Sequence, residues 1–339
     1  ANWEDIDEIW AFAKFCDAVA GVDDDLGLAM AEKFVPCAQQ AFSKDSVGAF
    51  RDLHDFMMSV LRIYDPLGVF VGRLAPRGRH KQIARKMLKD LNAGKVAEFL
   101  SDTKLREMQS AAGLLTTIYK VLPQKHLEIV QNIDWQKVSN TIGDHWSNLP
   151  HEAEVFLGVC YGGGSAQSLL DDFISQNLDK ITSFPPRLAI LSPNAAIRHV
   201  ESGKTIRLAS FDHVEWKFGY FVIALFSEEK PELLSAVLEQ AEKTTAETFS
   251  RENSSWYREA YEYTNLLQKE APESLDRILD KVSADRAQNG WIDSLQKGKG
   301  AQKTVALLVE YSLKRDDELG LMARQLRQRF PKASLPPNK

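Results

Sequence analysis

The chain has 339 residues, 44% of them hydrophobic and 26% charged, and a formal net charge of −5. A single globular core stops growing near roughly 250–300 residues, so this length calls for two domains or an elongated array. The composition excludes a disordered chain, and the acidic balance lacks the overall positive footprint of a nucleic-acid binder while leaving room for a local basic patch.

Three cysteines, Cys16, Cys37 and Cys160, stand far apart with no C-x-x-C pair. That pattern argues against a disulfide framework or a cysteine-rich zinc site and points to a cytoplasmic protein. No apolar run approaches the roughly 18–20 residues that span a bilayer. The best candidate, Phe218 to Phe226, is far too short. The opening Ala1-Asn2-Trp3-Glu4-Asp5 is acidic, unlike a signal peptide, and lacks an initiator methionine. The expectation is a chain cut from a longer one, with an upstream domain attached.

In chain order, residues 1–21 are expected to form an N-terminal capping helix. Residues 22–163 follow as helical repeats, opened by Asp23-Asp24-Asp25-Leu26 and interrupted near 66–82 by a basic insertion. Its Gly/Pro/Arg-rich part from Pro66 to Arg79 reads as an exposed loop. Leu114, Leu115, Ile118, Tyr119 and Leu122 mark an apolar stripe at helical spacing, ended by Pro123. The Gly162-Gly163-Gly164 break comes 41 positions after Pro123 and reads as a flexible turn with Ser165 as the next N-cap.

Residues 164–230 form an irregular longer repeat. It holds Phe184-Pro185-Pro186 and a helix signal from Pro193 to Gly203. Asp212-His213-Val214-Glu215 has the spacing of a helix N-terminus, which makes the following Phe218–Phe226 run a buried helix rather than a strand. Residues 231–331 are C-terminal repeats, with stripes at Leu233, Leu234, Val237, Leu238, Ala241 and at Leu275, Ile278, Leu279, Val282. Pro272 follows Pro231 by 41 positions, and Asp316 follows Pro272 by 44. Residues 332–339 are a tail. Units of this length predict an all-α fold: one domain over 1–339, an α-solenoid of HEAT-like helical hairpins in a right-handed superhelical stack.

Motifs that carry chemistry are scarce. Gly298-Lys299-Gly300-Ala301-Gln302-Lys303-Thr304 ends like a P-loop, but Gln302 stands where the glycine is required, so it reads as a turn between helices. Seven histidines form no H-E-x-x-H, and no serine sits in G-x-S-x-G. Trp135, Trp146, Trp216, Trp256 and Trp291 read as core anchors. No catalytic, cofactor-binding or metal-ligating residue is predicted. The candidate contact is the basic segment with Arg73, Arg77, Arg79, Lys81, Arg85 and Lys86, which could grip phosphates.

The stretches Phe50–Asp55, Leu127–Asp134, His145–Pro150 and Phe184–Arg198 together resemble the C-terminal helical-repeat region of bacterial STAND-type NTPases. In that family a repeat-built sensor controls a nucleotide-switched motor, and several members act in antiphage defence. The motor's Walker A loop and Walker B strand have no counterpart here. The resemblance therefore implies a non-catalytic, cofactor-free sensor that binds a protein or nucleic acid on a concave face and regulates an attached NTPase or effector. An alternative is a stand-alone nucleic-acid-binding repeat protein using residues 73–89. A third is an enzyme with an all-helical cavity near His145, His151 or Asp171-Asp172.

Overall fold

Proline punctuates this chain. In the computed structural model, the residues described are 22–44, 78–210, 213–214, 216–253, 257, 259–297 and 300–331, with Phe15, Ala18 and Val19. Most of them lie in helices, and no described helix is long and apolar enough to cross a membrane. The expected capping helix over 1–21, the loop from Pro66 to Arg79 and the tail 332–339 fall largely or wholly outside the described residues.

The chain divides into two compact units, Ala1–Ile181 and Thr182–Lys339. The boundary falls inside the stretch read as one irregular repeat. The first unit holds α1 (Asp24–Lys44), α2 (Gly78–Met87), α3 (Ala93–Ser101), α4 (Met108–Val121), α5 (Pro123–Gln131), α6 (Trp135–Ile142), α7 (His151–Tyr161) and α8 (Gln167–Gln176). The helix α2 starts at Gly78, so Arg79 belongs to a helix and not to the expected loop. Within this unit α1 packs on α2, α2 on α4, α4 on α7, and α3 on α5 and α6.

The second unit begins with a short parallel pair, β1 (Ser183–Phe184) and β2 (Thr205–Ile206), flanking α9 (Pro186–Leu191) and α10 (Pro193–Glu201). A second, antiparallel pair joins β3 (Ala209–Ser210) to β4 (His213–Val214). This corrects the expected helix start at Asp212–Glu215. Backbone pairing takes up His213 and Val214, and α11 begins at Trp216 and runs to Glu229, enclosing the 218–226 run as anticipated. Then follow α12 (Pro231–Phe249), α13 (Tyr261–Glu270), α14 (Pro272–Asp280), α15 (Ala284–Lys297), α16 (Gly300–Ser312) and α17 (Glu318–Arg329). One row of contacts runs α9, α11, α13, α16 and another α10, α12, α14.

Among the described residues, four helix pairs are joined by a single residue. Leu122, Ser192, Lys230 and Ala271 each end one helix by donating their N–H to the carbonyl four residues back, at 2.7, 2.8, 2.9 and 2.9 Å. Each precedes a proline that opens the next helix. Proline excludes the α conformation at the residue before it, which explains the shared bend near φ −134 to −148. Its missing N–H costs nothing at a first helical position, where that donor has no partner anyway.

The two units also repeat each other at a constant spacing of 149 positions. Ala97, Ser101, Pro123, Ile129 and Leu170 correspond to Ala246, Ser250, Pro272, Ile278 and Leu319. Helix α5 corresponds end to end with α14, and α7 starts where α16 starts. A hydrogen-bond device recurs with them. Ser101 Oγ donates to Ala97 O at 2.6 Å and accepts from Asp134 N–H at 2.8 Å, 33 residues on. Ser250 Oγ donates to Ala246 O at 2.7 Å and accepts from Ser283 N–H at 3.0 Å, again 33 residues on. Each serine occupies an amide at the start of a later helix that would otherwise lack an intrahelical acceptor.

Candidate functional site

A cavity of about 440 Å³ lies in the first unit where α5, the start of α6 and α8 meet. Its apolar wall is Leu127, Trp135, Ala166, Leu169 and Phe173. The Trp135 and Phe173 rings lie 4.7 Å apart, and Trp146 closes on Phe173 from behind at 5.6 Å. Trp146 is fully buried, but Trp135 is only half-buried, which corrects its expected role as a core anchor. Its indole Nε1 is shielded from solvent and has no hydrogen-bond partner among the described residues. Trp216 and Trp291 are buried as expected, and Trp256 lies outside the described residues.

The cavity's polar rim is Gln131, Ser165, Ser168, Asp172 and Gln176. Asp172 is its only charged group, and it has no ion-pair partner among the described residues. Ser168 and Asp172 are four apart on α8 and so share a face. Ser165 does not cap α8 as expected. Its hydroxyl donates back to Gly162 O at 3.0 Å, and the cap position falls to Ala166 without a side-chain bond. The three glycines before it all have positive φ, which lets the chain coil tightly enough for that return bond.

Behind the cavity, α5 is clamped to α7 through His126. This ring is fully buried, donates from Nε2 to Val159 O at 3.0 Å, and meets the Tyr119 ring edge-on at 5.2 Å. Burial, only partly offset by the Val159 bond, lowers its pKa to about 4. Gly162 is required beside it, because a Cβ there would stand 2.8 Å from His126 Cε1.

In the second unit the loop between α16 and α17 carries Arg315, whose side chain is 13% exposed. Its guanidinium bonds Asp317 at 2.8 Å through Nε and also binds Asp280, with Asp276 at 4.0 Å. The Arg315 bond, helped by the Gly320 amide, holds the Asp317 carboxyl below its ordinary value. The Arg315 main chain presses on the first turn of α17, where a Cβ on Gly320 would collide with its carbonyl oxygen. Gly320→Ala is therefore expected to push this loop outward and cost about 1–3 kcal/mol of stability. Urea unfolding followed by circular dichroism checks this, and an unchanged midpoint counts against it.

Of the sequence-predicted contacts, Arg73 and Arg77 lie outside the described residues. Arg79, Lys81, Arg85 and Lys86 all stand on α2. Arg79 grips Glu32 of α1 with two bonds, 3.2 and 2.9 Å, and that pairing lowers the Glu32 pKa. Arg85 Nε donates to Val121 O at 3.1 Å, satisfying a carbonyl at the end of α4. Both guanidinium groups thus tie helices together. Lys81 is half-buried and Lys86 exposed. His145 and His151 are exposed, and of the residues proposed for an enzymatic cavity Asp172 alone lines this one. Among the described residues no cluster of three His, Cys, Asp or Glu side chains could hold a metal ion. Sequence reasoning missed Leu127, Gln131 and Trp135. The signal that finds them is the 149-residue spacing, which shows where the two units differ.

No protein family, curated protein or solved structure matches the chain.

Proposed function

We propose that the chain is a polypeptide-binding helical-repeat module, an α-solenoid of HEAT-like hairpins in a right-handed superhelical stack. The observation that carries this reading is the packing within each unit. Helices meet their neighbours in rows, joined by one-residue proline turns, and every row buries an apolar face that a single hairpin could not. Such stacks present long side-chain surfaces suited to extended partners. In the first unit that surface is indented by a cavity of a size suited to side chains, with an aromatic floor and a polar rim. Control of an attached nucleotide-driven domain, in the manner of a STAND sensor, is the role this module would serve in a longer chain.

Selection of a displayed random-peptide library against the intact chain tests the reading. Peptides sharing a motif should enrich and compete with one another. If none enriches while single-stranded RNA or duplex DNA binds with a steep salt dependence, and Lys81→Gln with Lys86→Gln abolishes that binding, the nucleic-acid reading replaces this one. Sustained ATP hydrolysis by the purified chain would refute a purely binding role.

A further inference from the structure

Resting on the polypeptide-binding reading, we propose that the cavity of the first unit receives an arginine side chain of the partner polypeptide. The argument comes from the chain's own second copy of the site. Shifted by 149 positions, Leu127, Gln131, Ala166 and Ser168 of the cavity become Asp276, Asp280, Arg315 and Asp317. These four are the members of the guanidinium cluster between α14 and α17. In the second unit the chain fills this position with its own Arg315, 13% exposed. In the first unit the arginine is replaced by Ala166, and the space stands open.

The residues that changed with it keep the place suited to a cation while leaving its supply to another molecule. The internal plug is gone, and so are its dedicated carboxylates. One carboxylate has moved a helical turn along α8, from the position of Ser168 to Asp172, where the second unit has Leu321. Trp135 stands where the second unit has only Ala284. An indole face attracts a guanidinium through its ring quadrupole, and Leu127 and Leu169 offer a path for the three methylenes. Guanidinium is also less strongly hydrated than ammonium, so arginine suits a half-apolar cavity better than lysine. Gly320, which lets the Arg315 loop close down, is Asp171 in the first unit.

The test uses the intact chain labelled with 5-fluorotryptophan and observed by fluorine NMR, the Trp135 resonance being assigned with Trp135→Phe. The probe is N-acetyl-argininamide, and the control is N-acetyl-citrullinamide, its uncharged isostere. The Trp135 resonance should shift saturably with the arginine probe, with a dissociation constant on the order of a millimolar. Citrulline should bind about tenfold more weakly, and Asp172→Asn, a surface change safe for folding, should weaken arginine by about fivefold. Ala166→Arg rebuilds the internal plug and should abolish the response. An unmoved Trp135 resonance, an equal response to citrulline, or full affinity in Asp172→Asn overturns the proposal. A library-selected peptide that lacks arginine and ignores Asp172→Asn defeats this inference alone, whereas failure to select any peptide defeats the wider reading.

Discussion

Trp291→Ala is expected to cost about 3–5 kcal/mol, the largest single-site loss in the second unit. The side chain is fully buried in α15. Truncation removes its apolar area and leaves a void that the surrounding helices close only in part. It also removes a hydrogen bond, because the indole N–H donates to Phe249 O at 3.0 Å, at the end of α12. That carbonyl is one of the helix-end acceptors without an intrahelical partner; Tyr257 Oη lies 3.2 Å from it but is closer to Arg251 O, at 2.5 Å, where its single proton points. Trp291→Phe, which keeps most of the ring but drops the N–H donor to Phe249 O, should lose less, about 1–3 kcal/mol. Urea unfolding of both variants distinguishes the contributions. A loss below about 1 kcal/mol for the alanine variant would show that α15 does not anchor the packing.

Acid should loosen the first unit through His126. Its folded pKa, about 4, lies below the ordinary value of 6.5. The unfolded chain takes up a proton as pH drops through 6.5, while the buried ring, desolvated and donating from Nε2 to Val159, does not until about 4. The stabilisation is thus fully present above pH 6.5, declines between 6.5 and 4, and is lost below that. The size is about 3 kcal/mol across the window, at about 1.4 kcal/mol per pH unit. His126→Gln has no such proton to bind, so the difference between wild type and variant should shrink as pH falls. If wild type and variant follow parallel stability curves from pH 7 to 4, His126 is not the acid-sensitive group.

The all-helical class was legible because apolar stripes such as Leu275, Ile278, Leu279 and Val282 leave no other period; the first three are buried on α14 as the spacing requires, and Val282 is buried just past its end. The proline turns were legible for a related reason, since proline marks both a stop and a start. Local capping chemistry was harder to read. Ser165 is the right residue type for an N-cap, yet the positive-φ glycines before it turn its hydroxyl onto Gly162 O. The strand pair at His213–Val214 was hidden by an Asx-x-x-Glu spacing, because two-residue ladders carry no periodicity. The cavity was out of reach for a deeper reason. Trp135 taken by itself looks like any core tryptophan, and it takes the cavity between α5 and α8, or the comparison with Ala284 149 positions on, to show that its ring faces a gap. The basic segment misled in the opposite direction. Clustered charge suggests a ligand, but Arg79 and Arg85 are occupied by Glu32 and by the α4 terminus.

The serine devices have a mechanical consequence. Ser101 and Ser250 each fasten a point only 33 residues further along the chain, and the helix rows likewise join near neighbours. Tension applied to the ends of either unit would therefore act on short loops in sequence rather than on one long-range clasp. Each would be expected to lengthen in small reversible steps at low force, hairpin by hairpin, like a soft spring.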